Sequence, residues 1–188
     1  MKHVRWFIAV LLVLPISAFA FYKPIRVLMP EAFGVHCYKD NVCVEDPAQL
    51  DKAVALFNNS KRYLEMQWGL SVGQPKIVFC STEKCLHTFG HTKTAGYTLG
   101  TLGVVIQPRG WKEYYVAHEL IHYWQAENFG SLALLHGKPW VIEGMAYALS
   151  NDPRKELHEP LESYRKQFAD WYRVHSSAPL KSSVGEVL

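Results

Sequence analysis

From Lys112 to Asn128 the chain is apolar on nearly every side, and in the middle of that stretch stands His118-Glu119-Leu120-Ile121-His122. Tyr114, Ala117, Ile121 and Trp124 recur at helical spacing, and Val116, Leu120 and Tyr123 broaden the stripe. This pattern predicts a helix buried in the core, ending near Gly130. Histidines at i and i+4 lie one turn apart on one helix face, so both rings can reach a single ion. Glu119 then sits beside the same ion, where a carboxylate can take a proton from a metal-bound water. A five-residue pattern recurs by chance, so its meaning depends on the rest of the chain.

The next candidate helix begins at Lys138-Pro139-Trp140, with proline in its first turn, and runs to Leu149 before Asn151-Asp152-Pro153 stops it. Glu143 lies in that helix among apolar and small residues. One reading puts it on an exposed strip, paired with a lysine or arginine. The surroundings favour another, because a carboxylate is costly to bury unless it is paired or bound to a metal. Glu143 is therefore a candidate third ligand.

Residues 1–20 resemble a targeting segment. Lys2 and Arg5 precede an apolar run from Trp6 to Leu14, Pro15 breaks it, and Ala18-Phe19-Ala20 matches a cleavage pattern. The run is short for a membrane span, though Phe19, Phe21 and Tyr22 extend it and leave an uncleaved anchor open. Either way, residues 21–188 are expected to form one exported domain. Two of the three net positive charges, Lys2 and Arg5, fall in this segment, which holds no acid. No basic run with interleaved aromatics remains, which argues against nucleic acid as partner. Contact with a membrane is expected only through residues 1–20.

Export makes disulfides the natural reading of the four cysteines. Cys37 with Cys43 and Cys80 with Cys85 is the economical pairing, since each pair flanks a short polar loop, but four cysteines admit three pairings. A zinc site from Cys80, Cys85, His87 and His91 is the weaker alternative, because the single residue between Cys85 and His87 fits no usual finger spacing.

Elsewhere the chain supplies scaffold. Ile25–Met29 alternates weakly and suggests a first strand, and Lys76–Cys80 suggests a second. Tyr97–Gln107 suggests a hairpin or strand pair, and Leu102–Gln107 a place where an extended peptide could add by backbone pairing. Asp46-Pro47-Ala48-Gln49 starts a helix in which Leu50, Ala53, Val54, Phe57, Leu64 and Trp68 recur at helical spacing, ending near Gly69. Ser81–Gly96 is expected to be loop. A last helix is expected from about Pro160, with Leu161, Tyr164, Phe168, Trp171, Tyr172 and His175 inward, and the residues from Ser176 on are expected to fray. Strands precede the motif helix instead of alternating with helices, so the expected class is α+β, a small sheet with helices packed against it.

His118-Glu119-Leu120-Ile121-His122 followed by Trp140-Val141-Ile142-Glu143-Gly144-Met145-Ala146 resembles the gluzincin metallopeptidases, whose third zinc ligand is a glutamate on the following helix. The resemblance covers about Ala95 to Leu149. It implies a minimal, single-domain zincin-like fold: a mixed sheet against an active-site helix, a glutamate-ligand helix and scaffold helices. It also implies one Zn2+ held by His118, His122 and Glu143, with Glu119 as general base in peptide hydrolysis. Twenty residues separate His122 from Glu143, slightly more than in the aminopeptidases of that group, and their G-x-M-E-N element is absent. Aminopeptidase specificity is therefore not expected. An oxyanion donor is also needed, for which Tyr147, His158, Tyr164 and His136 are candidates. The competing reading is a non-catalytic exported binding module that retains a zincin scaffold.

Overall fold

The computed structural model describes residues 22–38, 41–90 and 93–188. The candidate targeting segment lies outside them. Among the described residues no helix is long and apolar enough to cross a membrane. The architecture is α+β, built on one mixed five-stranded sheet.

The strands are short: β1 (His36–Cys37), β2 (Val42–Val44), β3 (Ile77–Phe79), β4 (Gly96–Thr98) and β5 (Val104–Ile106). They lie in the order β1-β2-β3-β5-β4, with β2, β3 and β5 parallel and the outer two antiparallel to their neighbours. The three central strands are buried on both faces, which is why they read as continuous apolar triplets. Alternation divides their side chains between two cores. Val42, Val44, Ile77, Phe79, Val104 and Ile106 point to the larger core, shared with the long helices. Cys43, Val78 and Val105 point the other way, to a smaller core closed by Val27, Val35 and Phe89.

Helix α1 (Leu50–Trp68) follows a short 3-10 turn over Pro47–Gln49, which Asp46 caps by accepting from the Ala48 N–H at 3.0 Å. Gly69, left-handed at φ 65°, ends the helix. The motif helix is α3 (Glu113–Phe129), buried on every side from Val116 to Ala126. Then come α4 (Ser131–His136), α5 (Pro139–Leu149), α6 (Leu161–His175) and α7 (Leu180–Val187). Helices α5 and α6 pack closely because residue 144 is glycine: a Cβ there would meet the Tyr164 carbonyl oxygen at 2.4 Å.

Four expectations need correction. The segment proposed as a first strand is a pair of 3-10 turns, Lys23–Leu28 and Pro30–Phe33, each with proline at its start. Proline presets the φ of a turn and cannot donate to a ladder, which outweighs the weak alternation. Ser81–Gly96 is not all loop: α2 (Glu83–Phe89) forms there, its first turn capped by Thr82 Oγ1, which accepts from the Cys85 N–H at 3.3 Å. The C-terminal residues do not simply fray, since α7 buries Leu180 and Val184 in the larger core. Finally, β5 is an interior strand, so Leu102–Gln107 offers no free edge; β4 is the edge beside it.

Both local disulfides form, Cys37–Cys43 and Cys80–Cys85. The second excludes the alternative zinc site, since neither sulfur remains as a thiolate; His91 lies outside the described residues. Two disulfides are compatible with an exported protein.

Candidate metal centre

Helix α3 supplies His118 and His122 and α5 supplies Glu143. These three form a group whose ligand atoms all lie within 4.8 Å of one another. The two Nε2 atoms are 3.1 Å apart; that of His118 lies 3.6 Å from Glu143 Oε2 and that of His122 lies 3.6 Å from Glu143 Oε1. For tetrahedral coordination with bonds near 2.0–2.1 Å, neighbouring ligand atoms should stand roughly 3.3 Å apart. The histidine pair is close to that spacing and each ring meets its own oxygen of Glu143, so the three residues could hold a metal ion. Both imidazoles are nearly inaccessible, while the Glu143 side chain remains 37% exposed on the cleft side.

Gln125, fully buried on α3 one turn beyond His122, orients that ring. Its Nε2 donates to the Ile142 carbonyl at 3.1 Å, and its Oε1 faces His122 Nδ1 at 2.9 Å. An amide oxygen only accepts, so Nδ1 must carry the proton and Nε2 is left to coordinate. The same side chain ties α3 to α5, the two helices that bring the ligands. Sequence reasoning missed it; a glutamine in an otherwise apolar helix, three residues after the second histidine, was the available signal.

Glu119 lies beside the group on α3, buried and facing β4. Thr98 Oγ1 stands 2.8 Å from its Oε2 and 2.9 Å from its backbone oxygen. Gly96, also on β4, makes room for the side chain, because a Cβ there would lie 2.9 Å from Glu119 Cγ and 3.1 Å from the Val105 carbonyl oxygen. Neither β4 residue was a candidate from sequence, because both contacts cross from a strand to a helix far along the chain.

The electrostatics follow from this crowding. Burial pushes the Glu119 carboxyl up to about 7, even though the nearby His122 and the Thr98 hydroxyl favour its charged form. Burial also lowers His118, helped by its proximity to His122, so that ring stays neutral. For His122 burial opposes charge, but the Glu143 carboxylate prevails and raises it to about 9. Glu143 in turn is held down at about 2 by the two histidines, against the effect of its own burial. Without an ion, one proton held by His122 beside the Glu143 carboxylate keeps the cluster together.

The ligands open onto a cleft of about 570 Å³. Of the four donor candidates only Tyr147 lines it; its ring lies 4.4 Å from that of His118, centroid to centroid. His136 and His158 are on exposed surface, and Tyr164 belongs to the α5–α6 contact. Burial, reinforced by the Glu143 charge, pushes the Tyr147 phenol up to about 12, so it is a hydrogen-bond donor at neutral pH. A smaller hollow of about 240 Å³ beside Ser60 and Ser150 contains none of these groups.

Comparison of the chain with protein-family models, curated proteins and solved structures finds no match.

Proposed function

We propose that this protein is an exported, zinc-dependent peptidase with a minimal zincin-like fold, as the resemblance of its two motifs to the gluzincins implies. The observation that supports the reading is the convergence of His118, His122 and Glu143, their ligand atoms within 4.8 Å of one another, with a buried carboxylate, Glu119, beside them in an open cleft. Two neutral imidazoles and one carboxylate suit a catalytic zinc better than a closed structural site, which is usually four-coordinate and rich in cysteine. Zinc bound there would supply Lewis acidity and bring the deprotonation of water to about pH 7.

The protein's own groups then have distinct tasks. Glu119, with its pKa near neutrality, accepts a proton from the attacking water and returns it to the leaving amine. Thr98 holds one carboxylate oxygen of Glu119, which fixes the direction of that transfer. Tyr147 donates to the oxygen on which negative charge develops. An extended peptide can pair with the outer edge of β4, a strand bonded within the sheet only to β5.

The test combines metal analysis with Glu119→Gln. The chain should carry about one zinc and lose peptide hydrolysis on chelation. The variant should keep the zinc while activity falls by about 10²–10⁴. Full activity in Glu119→Gln would remove this mechanism, and zinc without turnover in the unaltered chain would leave a metal-stabilised binding module.

A further inference from the structure

The cleft carries basic side chains that the proposed chemistry does not use. Lys93 and Arg109 line one wall, and Arg154 lines the side formed by the segment after α5. The first wall is built, not incidental. Arg109 Nε donates to the Thr94 carbonyl at 3.0 Å, and the Gln107 N–H donates to the Ala95 carbonyl at 2.9 Å. Gly110 allows that closure, since a Cβ there would lie 2.0 Å from the Ala95 oxygen. Among the described residues, neither Lys93 nor Arg109 takes part in an ion pair.

Arg154 is held more tightly. Asp152, whose side chain is 1% exposed, engages its Nε and Nη2, and the guanidinium lies 5.3 Å from the Tyr115 ring and 5.6 Å from the Tyr147 ring. Arg165 Nη1 donates to the Arg154 carbonyl at 2.9 Å and holds the backbone. Asp152 offsets much of the Arg154 charge, so the cations of the cleft that are outside any ion pair among the described residues are Lys93 and Arg109. The carboxylates of the cleft, Glu119 and Glu143, are at its floor beside the histidines.

We propose that the cleft selects acidic peptides, with substrate carboxylates held by Lys93 and Arg109 on the β4 side and oriented by Arg154 on the other. This rests on the peptidase reading of the same cleft and adds its substrate class. Unpaired cations in a concave wall attract anions from solution and penalise cationic chains by like-charge repulsion. Arginine adds directionality, since its planar fork matches a carboxylate.

Binding can be tested apart from turnover, with zinc-loaded Glu119→Gln and two fluorescein-labelled peptides of equal length. Both carry the same central Ala-Leu pair, flanked by glutamates in one and by lysines in the other. Fluorescence anisotropy should show the glutamate peptide binding about tenfold or more tightly at ~0.05 M salt, with the difference shrinking at ~0.5 M. Adding Lys93→Glu and Arg109→Glu should reverse the preference while zinc content stays unchanged, because both side chains are exposed; the melting midpoint should fall only by the loss of the Arg109–Thr94 hydrogen bond. Equal binding, a preference for lysine, no binding of either peptide, or a preference that survives the double reversal would each overturn the proposal. If the glutamate peptide binds with this preference but the unaltered protein cleaves neither, the acidic selectivity stands and the peptidase reading falls.

Discussion

His122 Nδ1 lies 2.9 Å from Gln125 Oε1, and the amide nitrogen of the same glutamine reaches the Ile142 carbonyl on the neighbouring helix. One buried side chain therefore sets the tautomer of a candidate ligand and ties together the two helices that carry the candidate ligand group. Gln125→Leu keeps the volume but removes both functions. Zinc affinity, measured by competition with a chelator, is expected to fall about 10–100-fold. Unchanged affinity would show that helix packing alone orients His122.

Gly96 and Glu119 touch so closely that the smallest side chain does not fit between them. Gly96→Ala forces β4 away from α3, because one of the opposing atoms is the Val105 backbone oxygen. A loss of about 1–3 kcal/mol in urea unfolding is expected, with a fall in any hydrolytic activity as Glu119 is displaced. Wild-type stability in this variant would mean that the strand yields freely.

The metal-free protein should be most stable between about pH 4.5 and 6.5. On the acid side, Glu143 is depressed to about 2, so its contribution is present above its ordinary 4.5 and lost as pH falls toward 2. His118 acts in the same direction, since a ring kept neutral by burial loses stability as pH drops below 6.5. On the alkaline side, His122 is raised to about 9, so its contribution is complete below 6.5 and lost as pH rises through 9. Glu119, raised to about 7, disfavours the fold increasingly from 4.5 up to 7. Thermal melts across this range, with and without zinc, test the prediction. The stabilisation by zinc should grow with pH as fewer protons compete for the ligands.

Each disulfide closes a small loop, with sequence separations of 6 and 5 residues. Replacing either pair by serine should cost about 2 kcal/mol, the chain-entropy figure for loops of this length. Cys80 and Cys85 belong to the smaller core, on the face of the sheet away from α3. Zinc affinity should therefore survive their replacement, which metal titration of the double variant would show.

The elements legible in sequence were those written in local spacing. The helical period around His118 and His122, the proline-led start of the Glu143 helix, the Asp46 cap and the paired cysteines each involve residues a few positions apart. Their geometry follows from the backbone alone, and so the one-sided pair of imidazoles was visible before any fold was known. Helix α7 and the 3-10 turns at Lys23–Phe33 were not visible, because short segments have weak periods and are decided by what they pack against.

The sequence by itself determined which groups can bind an ion: two imidazoles on one helical face and a carboxylate in the next apolar helix. Only the tertiary structure decided how they meet and what surrounds them. Thr98 and Gly96 reach Glu119 across a strand–helix contact, Gln125 spans two helices, and Tyr147 alone among the donor candidates enters the cleft. Such contacts join residues distant in the chain, and their distances are set by how sheet and helices pack together, which no local pattern records.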